Sequence, residues 1–132
     1  MKKLKLVIIA LPFLLLSACS GGNNPEDVAE KFTKAIYTAD FDGAKELCTN
    51  DTRQTIDFIA AFASEKKEEM KKANISIDLK NVSIAEDGNS AIVDLVVHGS
   101  IDLQKGEVEE TKDEKVHLLK VDDKWLVEYK LK

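Results

Sequence analysis

Val82-Ser83-Ile84-Ala85-Glu86-Asp87-Gly88-Asn89-Ser90-Ala91-Ile92-Val93 alternates apolar and polar residues on either side of an Asp-Gly pair. A period of two marks strands with one covered face, and Asp-Gly supplies the positive φ that a tight hairpin turn requires. As a two-residue turn, Asp87-Gly88 sets Val82 opposite Val93 and Ile84 opposite Ala91. Lys105-Gly106 and Asp122-Asp123 are two further turn signals, so the chain from Ile75 onward reads as a four-stranded antiparallel meander. Two-residue turns throughout place Val82, Val93, Leu118 and Val127 in one row of the covered face. The next rows on that face hold Ile84, Ala91, Lys120 and Trp125 on one side, and Leu95, Val116 and Tyr129 on the other. A slip of one residue would turn every side chain to the opposite face, so apolar agreement across independent turns supports this register. Ile75, Ile77 and Leu79 share the face only if a bulge lies between Leu79 and Val82.

Upstream of the strands the period lengthens to that of helices. Pro25 followed by Glu26 and Asp27 is a helix start, with proline in the first turn and acids at the positive end of the helix dipole. Val28, Phe32, Ala35, Ile36 and Ala39 then fall on one helical face, and Asp40 closes the helix. Phe41, Ala44, Leu47 and Cys48 give a second, shorter amphipathic helix. A third, capped by Asp51 or Thr52, carries Ile56, Ile59, Ala60 and Ala63 as its core stripe beside Phe58 and Phe62. It ends in the charged run Glu65–Lys72, which reads as a solvated face with Glu–Lys pairs. The expected fold class is therefore α+β, with three N-terminal helices packed on a curved four-stranded antiparallel sheet.

The first residues read differently. Met1–Lys5 is a short positive segment and Leu6–Leu16 an apolar run of eleven residues, broken only by Pro12. Eleven residues are too few for a spanning helix, which needs roughly twenty, and they suit a cleaved export signal. The run ends in Leu16-Ser17-Ala18-Cys19, which resembles the bacterial lipobox. That resemblance implies a lipoprotein signal peptide over residues 1–18 and lipid attachment at Cys19, through a thioether-linked diacylglycerol and an acylated new amino terminus. Several acyl chains anchor a protein stably where one does not. Residues 19–24, the lipidated cysteine followed by Ser20-Gly21-Gly22-Asn23-Asn24, form a flexible tether, and residues 25–132 form the domain. The implied location is the bacterial cell envelope. Ser20 stands where a retention-type Asp would, which by resemblance to Gram-negative sorting rules favours the outer membrane, facing the periplasm.

Charge narrows the partners. The whole chain carries −5, and residues 1–18 hold Lys2, Lys3 and Lys5 with no acid, so residues 19–132 carry −8. Nucleic acid and anionic headgroups would repel such a domain, so its membrane contact is expected through the lipid on Cys19 alone. With Cys19 committed to lipid, Cys48 has no disulfide partner and reads as a buried small apolar residue. No cysteine–histidine cluster has metal-ligand spacing, and the sequence implies no cofactor.

Three helices followed by a curved meander resemble the cone-shaped fold of the nuclear transport factor 2-like (NTF2-like) superfamily. Pro25-Glu26-Asp27-Val28-Ala29-Glu30-Lys31-Phe32, Ala39-Asp40-Phe41-Asp42-Gly43-Ala44 and Lys124-Trp125-Leu126-Val127 resemble more specifically a family of small bacterial lipoproteins of unknown function, loosely called lumazine-binding-like. The resemblance covers nearly all of residues 25–132. It assigns no catalytic residue. The superfamily includes isomerases, dehydratases and epoxide hydrolases beside domains that only bind or dimerise, so the fold alone does not give the function.

Two places on the sheet are candidate sites. In a cone of this kind a pocket remains at the open end, and the register above sets Val97, Glu114 and Leu131 in an inward row, with Gly99/Lys112 and Ile101/Glu110 further out. Glu114 is the candidate acid or base, with Tyr37 and Tyr129 as hydroxyl donors, against the plainer expectation that the hairpin projects past the core with its charges solvated. On the outer face, Asp94, His117 and Glu128 align across three strands, a setting that favours a protonated His117. The plainer reading is a polar row that covers the sheet. The adjacent outer row of Ile92, Leu119 and Leu126 is apolar and is a candidate interface. Together these features imply a membrane-anchored envelope lipoprotein whose domain binds a small molecule or protein partner without catalysis. The alternatives are a small hydrolase or isomerase with an acid in the cone, and a structural module acting as a homodimer.

Overall fold

The computed structural model describes residues 24–129. The expected export segment, the lipid site at Cys19, the tether up to Asn23, and Leu131 lie outside them. The first helix, α1 (Pro25–Tyr37), starts at Asn24, whose side chain accepts a hydrogen bond from the Asp27 backbone N–H. It ends earlier than Asp40. Asp40 N–H reaches back to the Ala35 carbonyl and Ala39 N–H to that of Ile36, with Ala39 at φ 62°. That is a left-handed C-terminal cap with alanine where glycine is usual. Asp40 then caps the next helix, α2 (Phe41–Lys45), by accepting from Gly43 N–H.

Helix α2 is shorter than its apolar spacing predicts, because the following backbone is taken by the sheet. Val127 N–H donates to the Leu47 carbonyl and Thr49 N–H to the Val127 carbonyl, making a parallel bridge at Cys48. Thr49, and not Asp51 or Thr52, caps α3 (Asn50–Phe62), and Thr52 is buried instead. The charged run does not continue that helix. A 3₁₀ turn (Ser64–Lys66) intervenes, and α4 (Lys67–Lys72) follows as a separate short helix held by buried Met70. Among the described residues the expected three helices are thus four.

The sheet has strands β1 (Ser76–Ile84), β2 (Ser90–Ile101), β3 (Val108–Val121) and β4 (Lys124–Val127), adjacent in chain order and antiparallel. Val82 faces Val93, and the bulge falls between Leu79 and Asn81, as the alternation requires. Asp122 and Asp123 both adopt positive φ in the two-residue turn that sets Leu118 opposite Val127.

The β2–β3 turn corrects the sequence register. Its loop is four residues long, Leu103–Gly106, closed by Asp102 N–H on the Glu107 carbonyl and Gly106 N–H on the Asp102 carbonyl. The Asp102 carboxylate accepts from the N–H groups of Gln104 and Lys105, the side-chain turn that Asp favours. Two extra loop residues slide β3 by two positions. Ala91 therefore faces Leu118 rather than Lys120, Val93 faces Val116, and Leu95 faces Glu114. An even slip keeps the residues between Ala91 and Val97 on their expected face, so the core composition survives while the rows change. Past Gly99, at φ 82°, Ser100 is buried and Glu109 lines the inner side where Glu110 was expected.

The core lies between the helices and the inner sheet face. Val28, Ala29 and Phe32 of α1 and Ile56 of α3 pack against Val93, Leu95, Val116, Leu118, Trp125 and Val127. Burying a side chain of this size contributes about 1.5–3 kcal/mol, and these aliphatic and aromatic contacts hold the cone together. A second device ties α3 to the end of β4. The Thr49 hydroxyl donates to Glu128 at 2.7 Å, and the Thr52 hydroxyl accepts from Tyr129 N–H at 2.9 Å. Among the described residues no helix is long and apolar enough to cross a membrane.

Candidate ligand-binding cavity

The helices cover the sheet incompletely at the end where α1 finishes. A cavity of about 500 Å³ opens there, within the usual range for small-molecule sites. Its apolar wall comes from Ile36, Ile59, Met70, Ile101 and Leu103. Phe58 and Phe62, one turn apart on α3, also line it and are 63% and 62% exposed. Helical spacing explains this. Thr52 and Ile56 of α3, with Ala63 at its C-cap, form the buried stripe, and Phe58 and Phe62 lie on a different flank. They leave the cone unfilled and give its mouth an aromatic rim.

The polar groups enter from one side. Tyr37, at the last turn of α1, donates its hydroxyl hydrogen to Glu114 Oε1 at 2.5 Å. Burial, then the charge of Glu114 and the hydrogen bond to it, push the Tyr37 phenol far above its ordinary range. It therefore remains a neutral donor. Tyr129 is raised as well, by burial first and by Glu114 second, and its ring packs against Phe32 at 6.4 Å between centroids. Lys112 holds its ammonium over the Tyr37 ring, 5.6 Å from the centroid, within the range of a cation–π contact. Glu109 and Asp102 complete the charged lining. Backbone N–H donors, chiefly that of Lys105, hold the Asp102 carboxyl below the usual carboxylate range.

The four residues that the sequence singled out for the pocket occupy distinct positions. Tyr37 and Tyr129 line the cavity. Glu114 sits behind them in a separate recess of about 40 Å³, which both tyrosines also line. Val97 is fully buried and lies opposite Lys112, not Glu114. The two-residue slip has carried Glu114 toward the core and brought Lys112 to the mouth in its place. Lys112 was expected further out along the inward face and does line the mouth, whereas Glu109 and the aromatic rim of Phe58 and Phe62 were not named as site residues. Asp102 followed four residues later by Gly106 is the signal for the longer turn, and hence for Lys112.

The outer sheet face also departs from expectation. His117 lies opposite Ile92, while Asp94 faces Lys115 and pairs with it at 3.4 Å. The Glu128 carboxylate turns to Thr49. His117 is therefore not held between two carboxylates, and His98 bonds Asp78 at 2.9 Å instead. Leu119 faces Leu126, with Ile92 one row away rather than in line. Ile92, Leu119 and His117 line a shallow groove of about 570 Å³ on this face. Among the described residues no cluster of three or more His, Cys, Asp or Glu side chains is placed to hold a metal ion.

Helices on one face of a curved four-stranded meander, with a cavity left at the open end, define an NTF2-like domain. The chain belongs to the family described as domain of unknown function (DUF4878), whose sequence model matches residues 17–128. Among solved structures it is similar to a Campylobacter jejuni protein, by name only an NTF2-like transpeptidase. The two are 25% identical, with a TM-score of 0.58, over 81% of this chain and 99% of that one. It is also similar to the intermembrane space region of the chloroplast protein ARC6, at 12% identity and a TM-score of 0.52, over 86% of this chain and 93% of that one. That second likeness is one of fold alone. No curated protein matches the chain.

Proposed function

We propose that this protein is an envelope lipoprotein, anchored through Cys19, whose cone binds a small molecule without catalysis. The NTF2-like fold suggests ligand or partner binding, and the unfilled cavity behind the rim of Phe58 and Phe62 carries the small-molecule reading. Two solvent-exposed aromatic side chains beside an apolar hollow are better explained by an occupant than by packing. Binding is favoured over acid–base chemistry because Glu114 lies behind the tyrosines and already accepts the Tyr37 hydroxyl.

The chain enters α1 at Pro25 from the Cys19 side, and the cavity mouth lies at the other end of that helix. Cys19 precedes Asn24 and Pro25 at the start of the helix, whereas Ile36 and Tyr37 line the cavity at its end. Twelve helical steps separate Pro25 from Tyr37 by about 18 Å. Native mass spectrometry of the protein from its own host tests the reading: a retained small molecule that Phe62→Ala reduces is expected, and repeated recovery of the empty protein counts against it. Anchoring is tested separately. Cys19→Ala is expected to leave the protein off the membrane, and undiminished membrane association would refute the lipid assignment.

A second reading attaches to the outer face, where Leu119, Leu126 and nearby Ile92 suit contact with a second copy of the chain. Sedimentation equilibrium of wild type and Leu119→Asp distinguishes them. A dimer lost in the variant supports the contact, and a monomeric wild type at high concentration removes it.

A further inference from the structure

Resting on the cavity reading, we infer that the ligand is a cation with an apolar body: an amine or quaternary ammonium seated between Glu109 and the Tyr37 ring, its body against Phe58 and Phe62. Lys112 carries this argument. Its ammonium already sits over the Tyr37 ring at 5.6 Å, so the cavity holds an alkylammonium supplied by the chain itself. The electron-rich face of a neutral tyrosine attracts a cation, and more strongly where water is partly excluded. Tyr37 keeps that neutral ring, because its hydroxyl proton is committed to Glu114.

Charge within the cavity points the same way. Glu109 and Asp102 line it against the single ammonium of Lys112, and Glu114 lies just behind the tyrosine wall. An anionic ligand would meet these carboxylates inside a domain of net charge −8. A cationic one is drawn by the same field as it approaches. Lys112 is exposed on a long flexible stem, so it can swing into solvent and surrender its place over the ring. It then acts as an internal competitor, and its removal should tighten binding.

Three probes with one apolar body separate the possibilities: 4-phenylbutyltrimethylammonium, 4-phenylbutanol and 4-phenylbutanesulfonate, each titrated calorimetrically into the full chain. The ammonium is expected to bind about tenfold more tightly than the sulfonate, a ratio of the size that a few charged contacts supply. Glu109→Gln should weaken the ammonium several-fold and leave the alcohol unchanged, and Lys112→Gln should strengthen the ammonium. Equal affinities, or a preference for the sulfonate, would overturn the cation inference while leaving the cavity reading intact. If none of the three binds, the cavity reading itself falls with it.

Discussion

Tyr37 and Glu114 stand 77 positions apart in the chain, yet the phenol of one donates to the carboxylate of the other at 2.5 Å. The bond joins the last turn of α1 to the middle of β3 beneath the cavity floor. It fixes the ring that Lys112 covers. Because hydrogen bonds to charged groups are stronger than neutral ones, Tyr37→Phe should cost about 1.5–3 kcal/mol, less whatever solvent recovers at this half-buried site.

The same pair sets a pH dependence. The chain has two tyrosines, and burial with the charge of Glu114 raises both phenols in the fold. A raised pKa means that the folded state favours the neutral phenol. That stability is fully present below the ordinary phenol value of about 10 and is lost as pH rises beyond it. Phenolate absorbance should therefore appear together with loss of circular dichroism, and Tyr37→Phe should make the alkaline loss shallower. A reversible phenol titration near pH 10 in a still-folded protein would contradict this.

The link between α3 and β4 predicts a buried-polar cost. Thr52 is almost fully buried, and its hydroxyl accepts from Tyr129 N–H. Thr52→Val keeps the shape and strands that donor, which should cost about 1–3 kcal/mol in denaturant unfolding. The loss should be less than additive with Glu128→Gln, since the Thr52 and Thr49 hydroxyls share the Glu128 carboxylate. Additive losses would show that the groups act independently.

Gly99 takes a left-handed backbone conformation within β2. Its φ is 82°, and a Cβ there would meet the Asn74 carbonyl oxygen at 2.6 Å. Gly99→Ala should destabilise the fold by about 1–3 kcal/mol through backbone strain, with displacement of the Asn74 segment added. A variant as stable as wild type would show that the strand rearranges freely.

Thiol chemistry separates Cys48 from Cys19. Cys48 is buried, and burial raises its thiol, so it should resist alkylation in the folded protein at neutral pH. In denaturant the mature protein should label once per chain, at Cys48, if Cys19 carries the lipid thioether. Two labels would mean that Cys19 is unmodified.

Much of this was legible along the chain. Alternation around Asp87-Gly88 set which residues of β1 and β2 face the core, and Asp122-Asp123 did the same for β3 and β4. Those features are local, because a turn and a period of two need only neighbouring residues. What the chain could not supply was the length of the β2–β3 loop, where Lys105-Gly106 resembled a shorter turn than the one Asp102 closes. The α2 boundary was equally hidden, since it ends where Val127, far along the chain, takes the backbone of Leu47 and Thr49.

The sequence by itself thus determined the helix–meander order, the core-facing side of the strands up to Val97 and the net negative charge of residues 19–132. Only the tertiary structure decided that Lys112 sits over the Tyr37 ring, that Glu114 withdraws behind Tyr37, and that Phe58 and Phe62 remain outside the core. The reason is physical. A strand period fixes a face but is blind to an even slip in register, and helical spacing does not say where the covering sheet stops.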